Sequence, residues 1–309
     1  YYNFIFIKIK SVYMYIVKIF LIVFSYYLIS CKSDLTNQQN NVQKKEGSQN
    51  IKIYSVPSSF TFAGEPIPLD LPDVRERFDK ELHVNSYLHS STILLLKRAR
   101  RWLPEISEIL KSNDIPEDFK YLPVIESGLE NVISYKRAVG FWQFLAATAR
   151  ENGLVVNNEI DERYDPIKST YAAVKYLKKA NKKFDNWVSS AASYNRGIRG
   201  IENSMRSQKV NDFFNLYLNN ETTRYIYRIL AIKAIFESPS KYGFNLDSLD
   251  YYYPEKIKEY KIYKSVPNLT NWSLTNGSNY KELKRYNPWL RKNSLTIRKN
   301  KSYIIYLPQ

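Results

Sequence analysis

The sequence predicts a mainly α-helical protein that closes with a small C-terminal α+β module, and three observations carry that expectation. Apolar side chains return at helical spacing through most of residues 67–242. Prolines and capping side chains stand where those segments begin, and Gly or Asn where they stop. After about Tyr242 the pattern changes to short β-like runs around one helical stretch.

Residues 1–30 contain three lysines, Lys8, Lys10 and Lys18, no acid, and the apolar run Ile19–Phe24. A basic region, an apolar region and a small residue before cysteine are the parts of an export signal. Met14 offers an alternative start, since the signal from there on is already complete. Leu28-Ile29-Ser30-Cys31 resembles a bacterial lipobox, in which cleavage before Cys31 leaves a thiol to be diacylated. The alternative is a transmembrane anchor, which needs about 20 apolar residues. Residues 31–66 are polar and breaker-rich, with Asn-Gln-Gln-Asn-Asn at 37–41 and prolines at 57 and 66, and read as a lipidated tether without a core of its own.

The helical domain is expected over 67–242. Pro72–Leu82 and Ser91–Leu110 carry apolar stripes, the second through Leu95, Ala99, Trp102, Ile106 and Leu110, and stop at Ser112-Asn113-Asp114. Ile115-Pro116-Glu117-Asp118 starts a helix that Pro123 should kink and Gly128 should end, placing Glu126 in its last turn. Asp165-Pro166 supplies a cap and first position for a stripe of Ile167, Tyr171, Val174 and Leu177. Asp185 is expected to cap the segment through Tyr194, and Glu221 to open a long helix ending before Pro239. In the module over 243–309, Tyr260–Tyr263 and Ser302–Leu307 read as strands flanking a helical Tyr280–Tyr286.

Composition narrows the chemistry. Among 309 residues, 44% hydrophobic and 15% aromatic content supplies a core and excludes wholesale disorder. One Cys and two His exclude disulfides within the chain and argue against Cys/His metal sites and Ser-His-Asp triads, so an enzyme here must work with carboxylates. The net charge of +16 asks for an acidic partner: nucleic acid, anionic lipid or the peptide stems of a cell wall. An export signal and the lack of an arginine-rich recognition helix or metal finger set nucleic acid aside.

Among the carboxylates, Glu126 stands out because Tyr121-Leu122-Pro123-Val124-Ile125 precedes it and Ser127-Gly128 follows. Burial and the negative end of a helix both push such a carboxyl's pKa up, as a general acid near neutral pH requires. The opposing reading pairs Glu126 with Lys120, Lys136 or Arg137, which would push it down.

Glu126-Ser127, then Ala138-Val139-Gly140-Phe141-Trp142-Gln143-Phe144, then Ala191-Ala192-Ser193-Tyr194-Asn195-Arg196-Gly197, then Glu221-Thr222-Thr223-Arg224-Tyr225, resembles the ordered motif set of the soluble-lytic-transglycosylase family related to goose-type lysozyme. Within it the chain is similar to the membrane-bound lytic murein transglycosylases of D type. The resemblance spans roughly residues 70–240.

It implies a lysozyme-like helical catalytic domain, no cofactor and no metal, and peptidoglycan glycan strands as the partner. Glu126 would be the sole catalytic residue. Gln143 and Asn195 would line the sugar groove, Tyr194 and Tyr225 would lie beside the carboxyl, and Ser127 would support it. The plain alternative for the two tyrosines is core packing. The spacing from Glu126 to Gln143 is one residue shorter than the family's usual pattern, and Glu130-Asn131-Val132 replaces its common Asn-Pro.

The reaction implied cuts the MurNAc–GlcNAc linkage and leaves 1,6-anhydro-MurNAc ends, in a cell envelope where lipid on Cys31 anchors the protein to a membrane. Two rivals stay open. A lysozyme-type hydrolase would need a second acid, with Glu130, Asp161 and Asp165 nearest by sequence, and a non-catalytic lipoprotein would bind wall glycan without cutting it. The C-terminal module faintly resembles a degenerate LysM-type piece through Leu283, Asn287-Pro288 and Leu290, or else is a packing extension.

Overall fold

Several helices of this protein start where a proline or a side-chain oxygen removes the need to pair the first N–H groups. Pro72 occupies the first turn of α1 (Pro72–Tyr87), and the Asp165 carboxylate accepts from the N–H groups of Ile167 and Lys168 above Pro166 at the start of α5 (Pro166–Phe184). These observations come from a computed structural model that describes residues 51–309. The expected export signal, and the lipobox with Cys31, lie outside the described residues.

Between those helices run α2 (His89–Lys111), a 3-10 turn (Glu117–Lys120), α3 (Tyr121–Ser127) and α4 (Ala146–Glu151). After them come α6 (Trp187–Arg196), α7 (Ile198–Gln208) and α8 (Asn220–Glu237). The chain ends with β3 (Ile257–Ile262), α9 (Leu269–Thr275), α10 (Tyr280–Tyr286) and β4 (Tyr303–Pro308), where β3 and β4 pair antiparallel, Tyr260 opposite Ile305. No described helix is long and apolar enough to cross a membrane.

The core is organised by α8. Its Ile226, Ile229, Leu230, Ile232 and Ile235 are all buried, and it packs against α1, α3 and α6. Isoleucine is a middling helix former, but burying such a side chain is worth about 1.5–3 kcal/mol, so packing decides this helix. A second apolar cluster joins Leu269, Leu283, Trp289, Leu290, Leu295, Ile305 and Leu307 of the C-terminal module to Val139, Ile160 and Tyr164 of the helical part. Residues 53–309 consequently form one unit.

Four expectations need correction. The segment expected as a coreless tether to residue 66 is packed from Tyr54 onward: Tyr54, Val56 and Phe62 are buried in the main core, and Thr61–Phe62 (β1) pairs with Glu65–Pro66 (β2). The helix that Pro123 should kink is two pieces, and Pro123 is the third residue of α3, where a missing N–H costs little. Tyr171 in the expected stripe is 47% exposed, and Thr170, Ala173 and Ala180 take the buried positions on either side of Val174 and Leu177. Asp185 does not cap α6; it ends α5 in a left-handed conformation (φ 48°), and Asn186 is the cap, its Oδ1 accepting from Ser189 N at 2.7 Å.

Candidate active site

Glu126 sits in the last turn of α3, which Gly128 ends with φ 65°, a conformation that glycine adopts without cost. The apolar residues before it are buried, so the carboxyl is carried into the core's edge while its end remains partly exposed. Tyr225, buried on α8, donates its hydroxyl to Glu126 Oε1 at 2.7 Å. No protein group among the described residues donates to Oε2.

Burial lifts the Glu126 carboxyl to a pKa of about 7; the Tyr225 hydrogen bond and the Arg228 charge oppose the rise, and the Glu221 charge adds to it. A group poised there is half protonated at neutral pH and can both give and take a proton. The opposing reading, an ion pair with a nearby cation, does not hold. Lys120 pairs with Glu117 at 2.6 Å, while Lys136 and Arg137 are exposed on the following loop, and no ion pair to Glu126 occurs among the described residues.

The other site residues surround this carboxyl in different ways. The single Ser127 hydroxyl proton is shared between the carbonyls of Pro123 (Oγ···O 3.0 Å) and Phe141 (2.9 Å), tying α3 to the loop 130–145. Gln143, at φ 46°, donates from Nε2 to the carbonyls of Gly140 (2.7 Å) and Val132 (3.1 Å), so its amide also holds that loop's shape. Tyr194 donates to the carbonyl of Trp142 at 2.8 Å, and Trp142 Nε1 donates to Thr170 Oγ1 at 2.9 Å, which fixes the loop's buried side.

Asn195 Oδ1 accepts from Thr222 Oγ1 at 2.9 Å and its Nδ2 lies 3.5 Å from Glu221 Oε1, joining the end of α6 to the start of α8. Burial and the neighbouring Glu126 charge hold the Tyr194 and Tyr225 hydroxyls well above their ordinary pKa, so both remain donors.

The three acids considered for a second carboxylate are all engaged. Glu130 pairs with Arg98 at 2.7 Å, Asp161 meets the Arg163 guanidinium at 2.7 Å, and Asp165 caps α5. Two residues near Glu126 were given no role in the site by the sequence reading: Glu221, named there only as a helix start and part of a motif, and Arg228, whose Nη2 donates to the carbonyl of Ile125 at 2.8 Å. Their signal was available, since Glu221, Tyr225 and Arg228 follow i, i+4, i+7 spacing along one face of α8.

The chain is 31% identical over 200 residues to the membrane-bound lytic murein transglycosylase D of Escherichia coli K12, and equally to that of an Escherichia coli O6:H1 strain. That alignment covers 62% of this chain and 43% of the relative, so the chain spans under half the length of those proteins. A solved structure of an inactive mutant of the lytic transglycosylase Slt from Pseudomonas aeruginosa aligns at a TM-score of 0.37 and 16% identity, covering 59% of this chain and 35% of that one, too loosely to carry an argument.

Residues 105–216 match the transglycosylase SLT domain, and residues 258–309 match the soluble lytic transglycosylase C-terminal LysM-like domain. Glu126 thus lies inside the span that matches the SLT transglycosylase domain, and the span that matches the LysM-like domain follows it.

Proposed function

We propose that this protein is a peptidoglycan lytic transglycosylase that cleaves the MurNAc–GlcNAc linkage and leaves 1,6-anhydro-MurNAc ends. The observation that carries the reading is a single carboxyl, Glu126, held near neutral pKa by burial and bonded through one oxygen to Tyr225. Protonated Glu126 gives its proton to the bridging oxygen as the bond from that oxygen to C1 of MurNAc breaks. The carboxylate then takes the proton of the same sugar's C6 hydroxyl as its oxygen bonds to C1. Atoms balance without water, and one carboxylate serves both steps, whereas ordinary glycosidases use two. Because the nucleophile belongs to the substrate, intramolecular proximity supplies much of the rate.

Support for one carboxylate over two comes from the engagement of Glu130, Asp161 and Asp165 in structural bonds. Gln143 and Asn195 are proposed to face the acetamido and hydroxyl groups of the glycan, with Ser127 and Tyr194 holding the groove in shape. The domain limits proposed are a signal over 1–30, a lipidated segment from Cys31, the transglycosylase domain to residue 242 and the LysM-like module over 243–309. Lipid on Cys31 would hold the protein at a membrane of the cell envelope. The name of the Escherichia coli relatives, membrane-bound, supports that placement.

Two experiments test the reading. Digested glycan strands should carry anhydro ends, with no mass of water added; ordinary reducing ends would convert it to a lysozyme-type hydrolase. Glu126→Gln keeps the side chain's length but moves no proton, so turnover should fall by at least about 10²–10⁴-fold while glycan still binds. A variant keeping a tenth of wild-type turnover removes Glu126 from the chemistry.

A further inference from the structure

The loop that carries Gln143 is bracketed from outside by a short segment, 159–164, which in turn is clasped by the C-terminal module. On the module side the clasp is polar and continuous. The Glu159 carboxylate accepts from Ser294 Oγ (2.7 Å) and Thr296 N (3.1 Å), Arg291 N donates to Glu159 O (2.8 Å), and Asp161 N donates to Trp289 O (2.9 Å). On the loop side Arg163, buried, forks onto both oxygens of Asp161 and sends Nη1 to the carbonyls of Arg137 (3.2 Å) and Phe144 (3.1 Å), the two ends of the Gln143 turn. Gly140, at φ 80°, passes so close that a Cβ there would meet Arg163 O at 1.9 Å. Apolar contact runs the same way, since Val139, Ile160 and Tyr164 belong to the module's own core cluster.

We propose that segment 159–164, with Arg163 as its positioning residue, transmits the packing of the C-terminal module to the Gln143 loop, so that the module sets the geometry of the cleavage site in addition to any contact it makes with the wall. A wall-binding module on a free linker would need none of these bonds. A catalytic loop placed 1 Å wrong can lose about 10²-fold in rate, so an external brace has a kinetic use. For its kinetic half the inference rests on the transglycosylase reading; its structural half stands without it.

The test uses the full chain and Glu159→Ala, which removes the carboxylate's bonds to Ser294 and Thr296, leaves the backbone bonds of the clasp in place and does not touch the groove. Amide exchange is read at Val139, Gly140 and Gln143, whose N–H groups bond to Phe144, Val132 and Gly140 within the loop. We expect exchange there to rise about three- to tenfold, with kcat on a short soluble GlcNAc–MurNAc tetrasaccharide falling severalfold. A second variant, Asp161→Asn with Arg163→Met, replaces the buried pair together; in that background Glu159→Ala should add nothing further at the three amides, because the route to the loop is already cut. Wild-type protection of the three amides in Glu159→Ala overturns the brace, and loosened amides with unchanged kcat overturn its kinetic half. A wild type inert on glycan would fail the transglycosylase reading while the exchange result still decides the brace.

Discussion

Replacing Glu126 with Gln should make the protein more stable, and the gain should depend on pH. In the unfolded chain this carboxyl titrates near its ordinary 4.5, and in the folded protein near about 7. Below pH 4.5 both states are protonated and the site carries no penalty. Between the two values the folded state keeps a proton that the unfolded state has lost, and stability declines as pH rises. Above 7 both are ionised and the folded state bears the full cost of a buried carboxylate. At 1.36 kcal/mol for each unit of pH, that cost is at most about 3 kcal/mol. Gln stays neutral throughout and still accepts the Tyr225 hydroxyl. Urea unfolding at pH 4.5, 6, 7 and 8.5 should therefore find the variant level with wild type at the acid end and up to about 3 kcal/mol more stable at the alkaline end. A difference that does not change with pH, or a less stable variant at pH 8.5, would refute burial as the origin of the raised pKa.

The pH limb of activity gives the companion tests. Since the proposed reaction begins from protonated Glu126, turnover should fall as pH rises through about 7. Tyr225→Phe removes a hydrogen bond that favours the ionised form and should move that limb to higher pH, by about one to two units given about 1.5–3 kcal/mol for a bond to a charged group; a limb moving acidward would contradict the bond's assigned role. Glu221→Gln removes a repelling charge and should move it the other way, read from kcat against pH. Asn195→Ala should lower turnover and also cost about 1 kcal/mol of stability, because its Oδ1 accepts from buried Thr222; thermal melts and zymography on the same preparation separate the two effects. Cys31→Ala with the signal removed should leave the detergent phase, since acyl chains anchor at about 0.8 kcal/mol per methylene, and retention there would end the lipoprotein reading.

Much of the fold was legible because its signals are local. Asp165-Pro166 needs only its own next three residues to cap α5, and Tyr280–Tyr286 is bounded by Asn279 before it and Asn287 after it, so α10 falls on the residues expected. Errors fell where two neighbours offered the same chemistry or where burial is set from afar. Asp185 and Asn186 are both good caps, and only the left-handed turn at Asp185 gives the role to Asn186. Tyr54 and Phe62 looked like parts of a tether because nothing nearby in sequence covers them. Their partners are Tyr87 and Tyr242 for the first and Phe119 for the second.

The candidate site divides along the same line. The apolar run into Glu126 announces burial, and burial is the largest cause of its raised pKa, so a six-residue window was enough to expect a poised acid. Whether a cation would cancel that effect was not decidable from the window, because Lys120 is only six residues away. Glu117, one turn before Lys120, takes that lysine away from the site. The donor that does bond to Glu126 is Tyr225, 99 residues on, and it arrives only because α8 runs through the centre of the core. Arg228 and Glu221 come with it on the same face and act in opposite directions on the carboxyl, so the charge balance around Glu126 is a property of one helix's register. A one-residue slip of α8 would turn that face by about 100° and exchange Tyr225 for Ile226 or Arg224. Glu81 opposes such a slip: buried on α1, it grips the guanidinium of Arg224 through both its oxygens, at 2.6 and 3.2 Å. That pair joins residues 143 apart in sequence; the Arg224 side chain is 40% exposed, so solvent screens the attraction, while the buried Glu81 would lose its partner in such a slip. In the proposed reaction its part is to hold the register in which α8 presents Tyr225 to Glu126.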